Sequence, residues 1–137
     1  MKVLKFGGTS MANASSIRKV AEIIEKDADA RFIVVSAPGK REPSDIKVTD
    51  LLLDCIEERN RAGICDAALE KVVKRFDEII NGLSISLDLT PEFNVIRDKI
   101  NGGAGVDYAS SRGEFLSGIV TAKFLGMRII DAGDVIR

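Results

Sequence analysis

The chain has 137 residues, of which 45% are hydrophobic and 30% are charged, a composition typical of one soluble globular domain. Its formal net charge of −1 gives no electrostatic footprint for nucleic acid, and no apolar run approaches the ~20 residues that span a bilayer. The sequence contains no histidine, which excludes histidine-based triads, histidine general bases and histidine metal sites.

The amino-terminal part of the chain alternates strand and helix signals. Lys2–Phe6 is short, β-prone and followed by two glycines, which predicts a buried strand ending in a tight turn. Apolar residues then recur at helical spacing and predict a helix over residues 15–26, with Ser15 or Ser16 as its cap. Residues 32–35, FIVV, predict a second buried strand, which the sequence SAPG ends.

Two longer helices are predicted in the middle of the chain. The first covers residues 48–61 and has Gly63 as its carboxyl-terminal stop. The second covers residues 66–80, and Gly82 is expected to end it. Both carry apolar residues along one side, so each is expected to pack on a common core.

The last part of the chain predicts two more helices and a third strand. One helix runs over residues 90–100, with the hydroxyl of Thr90 as its cap and a proline at the first helical position. Another begins around residues 107–111 and ends at Gly126. Residues 128–132, RIIDA, then predict the third strand.

Apolar strands separated by helices indicate a parallel sheet covered on both faces. We therefore expect an α/β fold, a three-layer α/β/α sandwich with a mainly parallel sheet. Three strands are few for such a sheet, and the chain stops soon after the third. Residues 1–137 are accordingly expected to form one portion of a larger domain, with no second domain.

The first strand-to-helix loop carries residues suited to binding phosphate. Ligands of open α/β sheets bind at the carboxyl ends of the strands, where the motif KFGGTS lies. Gly7 and Gly8 let backbone N–H groups approach an anion, Lys5 adds a positive charge, and Thr9 and Ser10 add hydroxyl donors. The alternative is a tight turn beside an exposed lysine, and on the dipeptide alone that alternative is favoured.

The second loop offers small polar groups. It is not a P-loop, because GxxxxGK[ST] needs glycine in place of Val34 and a hydroxyl in place of Arg41. Ser36 at the strand end and Thr49 at the start of the next helix can hydrogen-bond a polar substrate. The alternative is that Thr49 or Asp50 only caps that helix.

A third candidate segment is SRGEFLS, with Gly113 and Glu114. A glycine in an apolar-periodic helix costs roughly 1 kcal/mol against alanine, which indicates a steric reason for Gly113. Glu114 can accept hydrogen bonds from a substrate ammonium or hold a lysine in place. The alternative makes Glu114 a first-turn residue that the helix dipole favours.

Four motifs in order, KFGGTS, VVSAPGK, VTDLLL and SRGEFLS, together resemble aspartokinases, of the amino-acid kinase superfamily with its carbamate kinase-like fold. The resemblance covers essentially the whole chain and fits the aspartate enzymes better than uridylate, carbamate, glutamate or acetylglutamate kinases. It implies ATP-dependent phosphorylation of the aspartate side-chain carboxylate to 4-phospho-aspartate, the first step toward lysine, threonine and methionine. It also implies ATP and Mg²⁺ as cofactors and a cytoplasmic location.

The resemblance assigns roles to eight residues, namely Lys5, Gly7, Gly8, Thr9, Ser10, Ser36, Thr49 and Glu114. By this resemblance Lys5 stabilises the transferring phosphoryl group, and Gly7, Gly8, Thr9 and Ser10 bind the phosphates of ATP. Ser36 and Thr49 bind aspartate, and Glu114 binds its amino group or positions the lysine. No protein ligand for magnesium is assigned.

Aspartokinases continue into a second half of the kinase domain, which supplies most of the nucleotide site, and into regulatory domains. We therefore expect this chain to be the amino-terminal part of a kinase domain, inactive or nearly so alone. The alternative is a non-catalytic, aspartokinase-like interaction module that pairs with a partner chain, or with itself as a homodimer, to cover its sheet edge.

Overall fold

The structure is a computed structural model that describes residues 2–129. Its elements in chain order are β1 (Lys2–Phe6), a 3-10 helix (Gly8–Met11), α1 (Ala14–Glu25), β2 (Ala30–Val35), α2 (Val48–Ala62), α3 (Asp66–Leu83), α4 (Thr90–Asn101) and α5 (Val106–Leu125). None of the helices in this part of the chain combines the length and the apolarity that a bilayer crossing needs.

The two strands pair in parallel, with Val3 opposite Phe32 and Phe6 opposite Val35. The N–H of Ser36 donates to the carbonyl of Phe6 at 3.0 Å. This hydrogen bond extends the pairing of the two segments one residue past the end of β2. The predicted α/β class with a parallel sheet is confirmed. Of the predicted third strand, residues 128 and 129 are described and are not in a strand, and residues 130–132 lie outside the described part of the chain.

The helices pack against one face of this sheet. Phe6 and Val35 point into the helical core. On the opposite face Val3 is 51% exposed, and Phe32 and Val34 are each 48% exposed. The second helix layer of the predicted sandwich is therefore not found among the described residues.

The core lies between the helices, with α2 packed against both α3 and α5. Its largest fully buried side chains include Leu52, Phe76, Ile96 and Leu116, one from each of α2 to α5. Burying such a side chain contributes about 1.5–3 kcal/mol. The rings of Phe76 and Phe93 add a tilted contact at 6.2 Å between α3 and α4.

The start of α1 differs from the prediction. The cap is Asn13, whose side-chain oxygen accepts the N–H of Ser16 at 2.8 Å, and the helix begins at Ala14. Ser15 and Ser16 therefore lie in the first turn. An asparagine two or three positions earlier satisfies the same free N–H groups, so these serines are not needed as caps.

Two other predicted helix ends also shift. Gly82 lies inside α3, which ends instead at Ser84 in the left-handed conformation, with φ of 56°. A Cβ on Gly82 would lie 2.6 Å from the Cβ of Ala14, so this glycine serves the close packing of α3 on α1. Thr90 is the first residue of α4 rather than its cap, and its N–H donates to Oδ1 of Asp88 at 2.9 Å.

Gly63 and Gly126 end α2 and α5 as predicted. Their φ values, 88° and 69°, lie in the left-handed region that favours glycine.

Candidate functional site

The carboxyl ends of β1 and β2 open into a cleft of about 380 Å³. Four parts of the chain form its walls, namely the loops after the two strands, the start of α2 and the middle of α5. The described residues that line it are Gly8, Thr9, Ser36, Ala37, Pro38, Gly39, Lys40, Lys47, Thr49 and Glu114.

The two strand-end loops touch through their backbones. The N–H of Gly39 donates to the carbonyl of Gly8 at 2.8 Å. A Cβ on Gly39 would lie 2.8 Å from the carbonyl carbon of Gly8, and a Cβ on Gly8 would lie 3.1 Å from the carbonyl oxygen of Ala37. Gly39 therefore needs to be glycine because two main chains pass each other there, and Gly8 is tightly packed at the same crossing.

The start of α2 is joined to the second loop. The N–H of Val48 donates to the carbonyl of Pro38 at 3.0 Å, and the Val48 side chain is fully buried. Lys47 occupies the cap position, so the alternative that Thr49 or Asp50 caps this helix is wrong. The attachment turns Thr49, which is half-buried, toward the cleft.

Gly113 brings α5 to the cleft. A Cβ there would lie 2.7 Å from the Cβ of Ala37 and 3.3 Å from Cδ1 of Leu52, which confirms a steric reason for this glycine. The next residue, Glu114, is exposed and lines the cleft. Because α5 begins at Val106, Glu114 lies well inside the helix, and the alternative that places it in the first turn is wrong.

The structure brings together five of the eight residues singled out in the sequence: Gly8, Thr9, Ser36, Thr49 and Glu114. The other three, Lys5, Gly7 and Ser10, are not among the described residues that line the cleft. Lys5 is exposed and pairs with Val34, so its side chain starts from the open face of the sheet. Gly7 precedes the 3-10 helix, and the N–H of Ser10 donates to its carbonyl at 3.1 Å.

Two lysines of the cleft were not singled out from the sequence. Lys40 follows Gly39 directly, and Lys47 immediately precedes α2. The sequence signal for them is their position, since Lys40 follows the second strand and Lys47 precedes the next helix. Because the only carboxylate in the described lining is Glu114, the cleft has a positive balance that favours an anionic ligand.

The loop between these lysines is fastened by ion pairs. Arg41 binds Asp45 with two nitrogens, Nε to Oδ2 at 2.7 Å and Nη2 to Oδ1 at 2.9 Å, and donates Nη1 to Glu78 at 2.8 Å. The hydrogen bond from Arg41 holds the pKa of Asp45 well below its usual range, against the opposing effect of burial. The loop is thus tied both to itself and to α3.

Within residues 2–129, no group of three or more cysteine or acidic side chains stands close enough to hold a metal ion. The cleft contributes one carboxylate, two ammonium groups and several hydroxyls. This donor set suits a small molecule that carries both carboxylate and ammonium groups, and it does not fit a metal ion held by protein ligands alone.

Comparison with known proteins agrees with the motifs. The model of the amino acid kinase family matches residues 1–134. Aspartokinase 3 of Bacillus subtilis is 40% identical over 100 residues, which are 73% of this chain and 21% of that protein. The crystal structure of Clostridium acetobutylicum aspartate kinase superposes with a TM-score of 0.88 at 39% identity, over 93% of this chain and 30% of that one.

A more distant structure shares the fold. The E. coli aspartokinase III crystallised with aspartate and ADP gives a TM-score of 0.63 at 21% identity, over 90% of this chain and 28% of its own. The chain thus spans less than a third of the length of each of these relatives. The match over residues 1–134, together with the shared parallel fold, shows that the chain belongs to the amino acid kinase family.

Proposed function

We propose that the chain carries part of the active site of an aspartate kinase, which uses ATP to phosphorylate the side-chain carboxylate of L-aspartate. The observation that carries this proposal is the cleft in which Gly8, Thr9, Ser36, Thr49 and Glu114 meet. The similarity to proteins named aspartokinase supports the choice of substrate. Because the chain spans less than a third of those proteins, we further propose that residues 1–137 are the amino-terminal portion of the kinase domain and that other parts complete the nucleotide site.

The chemistry of the cleft suits aspartate, which carries two carboxylates and one ammonium group. The hydroxyls of Ser36 and Thr49 can donate to a carboxylate, and Glu114 can accept from the ammonium group. Lys40 and Lys47 offset the negative charge that remains. A cleft of about 380 Å³ also falls in the usual size range of ligand sites.

The proposed reaction needs no protein base. The ionised aspartate carboxylate is already a nucleophile, so one of its oxygens attacks the γ-phosphorus of ATP, and the bond from that phosphorus to the bridging oxygen of ADP breaks. Catalysis is then mainly positioning and charge neutralisation. A chain without histidine can therefore provide this chemistry.

The phosphate side of the site is assigned to the KFGGTS segment. Gly8 and Thr9 reach the cleft, and the first N–H groups of the 3-10 helix have no partner within that helix. We assign Lys5 to the stabilisation of the transferring phosphoryl group, and we assign Gly7 and Ser10 to binding the phosphates of ATP. The Lys5 ammonium is exposed on a flexible stem, so it can reach a phosphate bound beyond the strand end.

Magnesium would arrive with ATP, bound to its phosphates. The described residues do not provide a ligand cluster for it, so it carries no step of the mechanism derived from this chain. A cytoplasmic location belongs to the same proposal.

Calorimetric titration of the chain with L-aspartate tests the assignment. Thr49→Val removes one hydroxyl and Glu114→Gln removes the carboxylate, and each should weaken binding by roughly 10-fold, the effect of losing one hydrogen bond to a charged group. Glu70→Gln, an exposed position on α3 outside the cleft, is the matched control and should bind as wild type. Equal affinity of all four proteins, or no binding by wild type, would refute the proposal.

A coupled assay with ATP, magnesium and aspartate tests the completeness of the site. We expect little or no turnover by this chain alone. Robust turnover by the chain alone, if Glu114→Gln abolishes it, would contradict the proposal that parts of the protein outside this chain complete the nucleotide site.

An interaction module is the second candidate function, favoured by the open apolar face of the sheet. Val3, Phe32 and Val34 on that face are each about half exposed, an arrangement that a partner chain or a second copy would cover. Light scattering distinguishes the two candidates. A homodimer without affinity for aspartate or ATP would support the module, whereas a monomer that binds aspartate would support the kinase.

A further inference from the structure

A buried arginine stands behind the cleft. Arg75 of α3 is only 5% exposed, and its guanidinium donates to three backbone carbonyls. Nη1 bonds Ile46 at 2.8 Å, and Nη2 bonds Gly39 at 2.8 Å and Ala12 at 3.3 Å. The nearest carboxylate oxygen, from Asp45, lies 3.5 Å from Nη1.

Burying a guanidinium in this way costs free energy, which a purely structural contact does not need. A buried guanidinium loses its hydration, and good compensation needs both a close carboxylate and a full set of hydrogen bonds. Here the main partners are neutral carbonyls, and the buried Nε has no partner among the described residues. Burial, and next the nearby charge of Arg41, lower the pKa of Arg75, and the charges of Asp45 and Glu78 offset this only in part. A well-packed apolar side chain would avoid these penalties, so the guanidinium has to be explained by what it connects.

Of the three carbonyls, that of Gly39 belongs to a residue that lines the cleft, and the other two lie next to segments that form its walls. Ala12 directly follows the 3-10 helix that begins at Gly8. Gly39 is the residue whose N–H binds the carbonyl of Gly8. Ile46 immediately precedes Lys47 and the helix that carries Thr49. One planar group is therefore bonded to the proposed phosphate side and to the proposed substrate side at once.

We propose that Arg75 is a positioning residue of the cleft, which sets the spacing between the KFGGTS loop and the segment from Gly39 to Thr49. This inference rests on the proposed function. Arg75 is not among the described residues that line the cleft, so it acts through the backbone it holds. In phosphoryl transfer this spacing determines how the attacking carboxylate meets the γ-phosphate, and a misplacement of ~1 Å can reduce the rate ~100-fold.

An arginine is the side chain suited to this task. Its donors form a rigid planar fork, whereas the ammonium of lysine is a single charged point on a flexible stem. A lysine at this position keeps the charge but cannot hold the carbonyls of Ala12, Gly39 and Ile46 in one fixed arrangement. Arg75→Lys therefore separates the effect of geometry from the effect of charge.

The test compares Arg75→Lys and Arg75→Met with Ile96→Ala, a core truncation in α4. The backbone amide resonances of Gly8, Gly39 and Thr49 are measured by NMR without ligand, and the free energy of unfolding and the affinity for L-aspartate are measured on the same proteins. Both Arg75 variants should shift these amides, and they should weaken aspartate binding by roughly 10-fold or more because a displaced Thr49 loses its hydrogen bond to the carboxylate. Ile96→Ala should lose at least as much stability and yet keep the wild-type amides and affinity.

Three results would overturn the proposal. The first is a folded Arg75→Lys protein with wild-type amides and affinity, and the second is an Ile96→Ala protein that shows the same shifts as the arginine variants. The third is unfolding of both arginine variants while Ile96→Ala folds, which would show a structural role only. If wild type binds no aspartate, the proposed function fails, and the amide shifts still decide whether Arg75 positions the loops.

Discussion

At the scale of single residues, the glycines near the cleft perform different tasks. Gly8 and Gly39 have ordinary φ values and lie where two backbones pass each other, and the contact is close enough to require glycine at Gly39. The sequence indicates only that the two glycines of KFGGTS allow a tight turn or the approach of an anion. It does not reveal that Gly8 contacts a residue of the next strand-end loop, because that contact depends on how the strands pair.

Gly39→Ala should destabilise the protein. The added Cβ would lie 2.8 Å from the carbonyl carbon of Gly8, and this backbone atom can move only together with the loop. We expect a loss of about 1–3 kcal/mol in the free energy of unfolding, the usual penalty of overpacking. Urea unfolding measures it, with Gly7→Ala as the control. Gly7 has open space and a φ of −77°, so that variant should be unchanged or slightly more stable. Equal behaviour of the two variants would contradict this account.

Asp45 should make stability depend on pH in the acid range. Its folded pKa is lowered by Arg41, so its contribution is present above the unfolded pKa of about 3.9 and is lost as the pH falls through the folded value. Asp45→Asn should lose about 1–3 kcal/mol at pH 7 and should show a flatter loss of stability below about pH 4. Urea unfolding from pH 7 to pH 2 measures both effects. Asp77→Asn, at an exposed position on α3, is the control. If the stability of Asp45→Asn changes with pH in parallel with that of wild type, the role given to the Arg41–Asp45 ion pair is excluded.

At the scale of secondary-structure elements, the sequence predicts both described strands and the five described α-helices, but neither the 3-10 helix Gly8–Met11 nor all of the helix ends. Gly63 and Gly126 end helices as expected because a left-handed residue is needed there and nothing else competes. Gly82 does not end α3, because its missing side chain is used for packing on Ala14. The hydrophobic periodicity is local, whereas the contact of Gly82 with α1 joins distant parts of the chain.

Ser84 provides a test of the way α3 ends. It is a non-glycine residue with φ of 56° at an exposed position. Ser84→Gly should therefore increase the free energy of unfolding by roughly 0.5–1 kcal/mol, since glycine adopts this conformation without steric penalty. Gly63→Ala, the reverse change at a φ of 88°, should decrease it by a similar amount. Thermal unfolding of both variants measures the effects, and a loss of stability in Ser84→Gly would count against the assigned helix end.

At the scale of the whole molecule, the sequence predicts the parallel pairing and the meeting of Gly8, Thr9, Ser36, Thr49 and Glu114 in one cleft. For Gly8, Thr9 and Ser36 it does so because the carboxyl ends of parallel strands share one edge of the sheet. Thr49 and Glu114 are added to them by the resemblance of their motifs to aspartokinases. The open face of the sheet could not be predicted, because Val3 and Val34 are as apolar as the half-buried strand residues beside them. The sequence also does not predict that Arg75 supports the cleft, because Arg75 lies in α3, far along the chain from the loops to which it donates hydrogen bonds.

The two thiols report on opening of the whole core. Cys55 and Cys65 are free and fully buried, and burial raises the pKa of Cys55 to about 12. A thiol reagent at pH 8 should therefore react with the folded chain only as fast as the core opens. Because the folded pKa lies above the unfolded value of about 8.5, stability should also fall as the pH rises from about 8.5 toward 12. Prompt reaction of both thiols in the folded protein would show that the core is not closed as described.

The central claim is that the cleft at the strand ends binds aspartate beside a phosphate site. NMR titration of the ¹⁵N-labelled chain with L-aspartate, and then with ATP and magnesium, tests it most directly. L-Aspartate should shift the amides of Ser36, Thr49 and Glu114, and ATP should shift those of Gly8 and Thr9, while α4 stays unchanged. A second groove lies between α3 and α4, where Leu69, Val73 and Phe93 are among its lining residues. Shifts confined to that groove, or no shifts with either ligand, would contradict the claim.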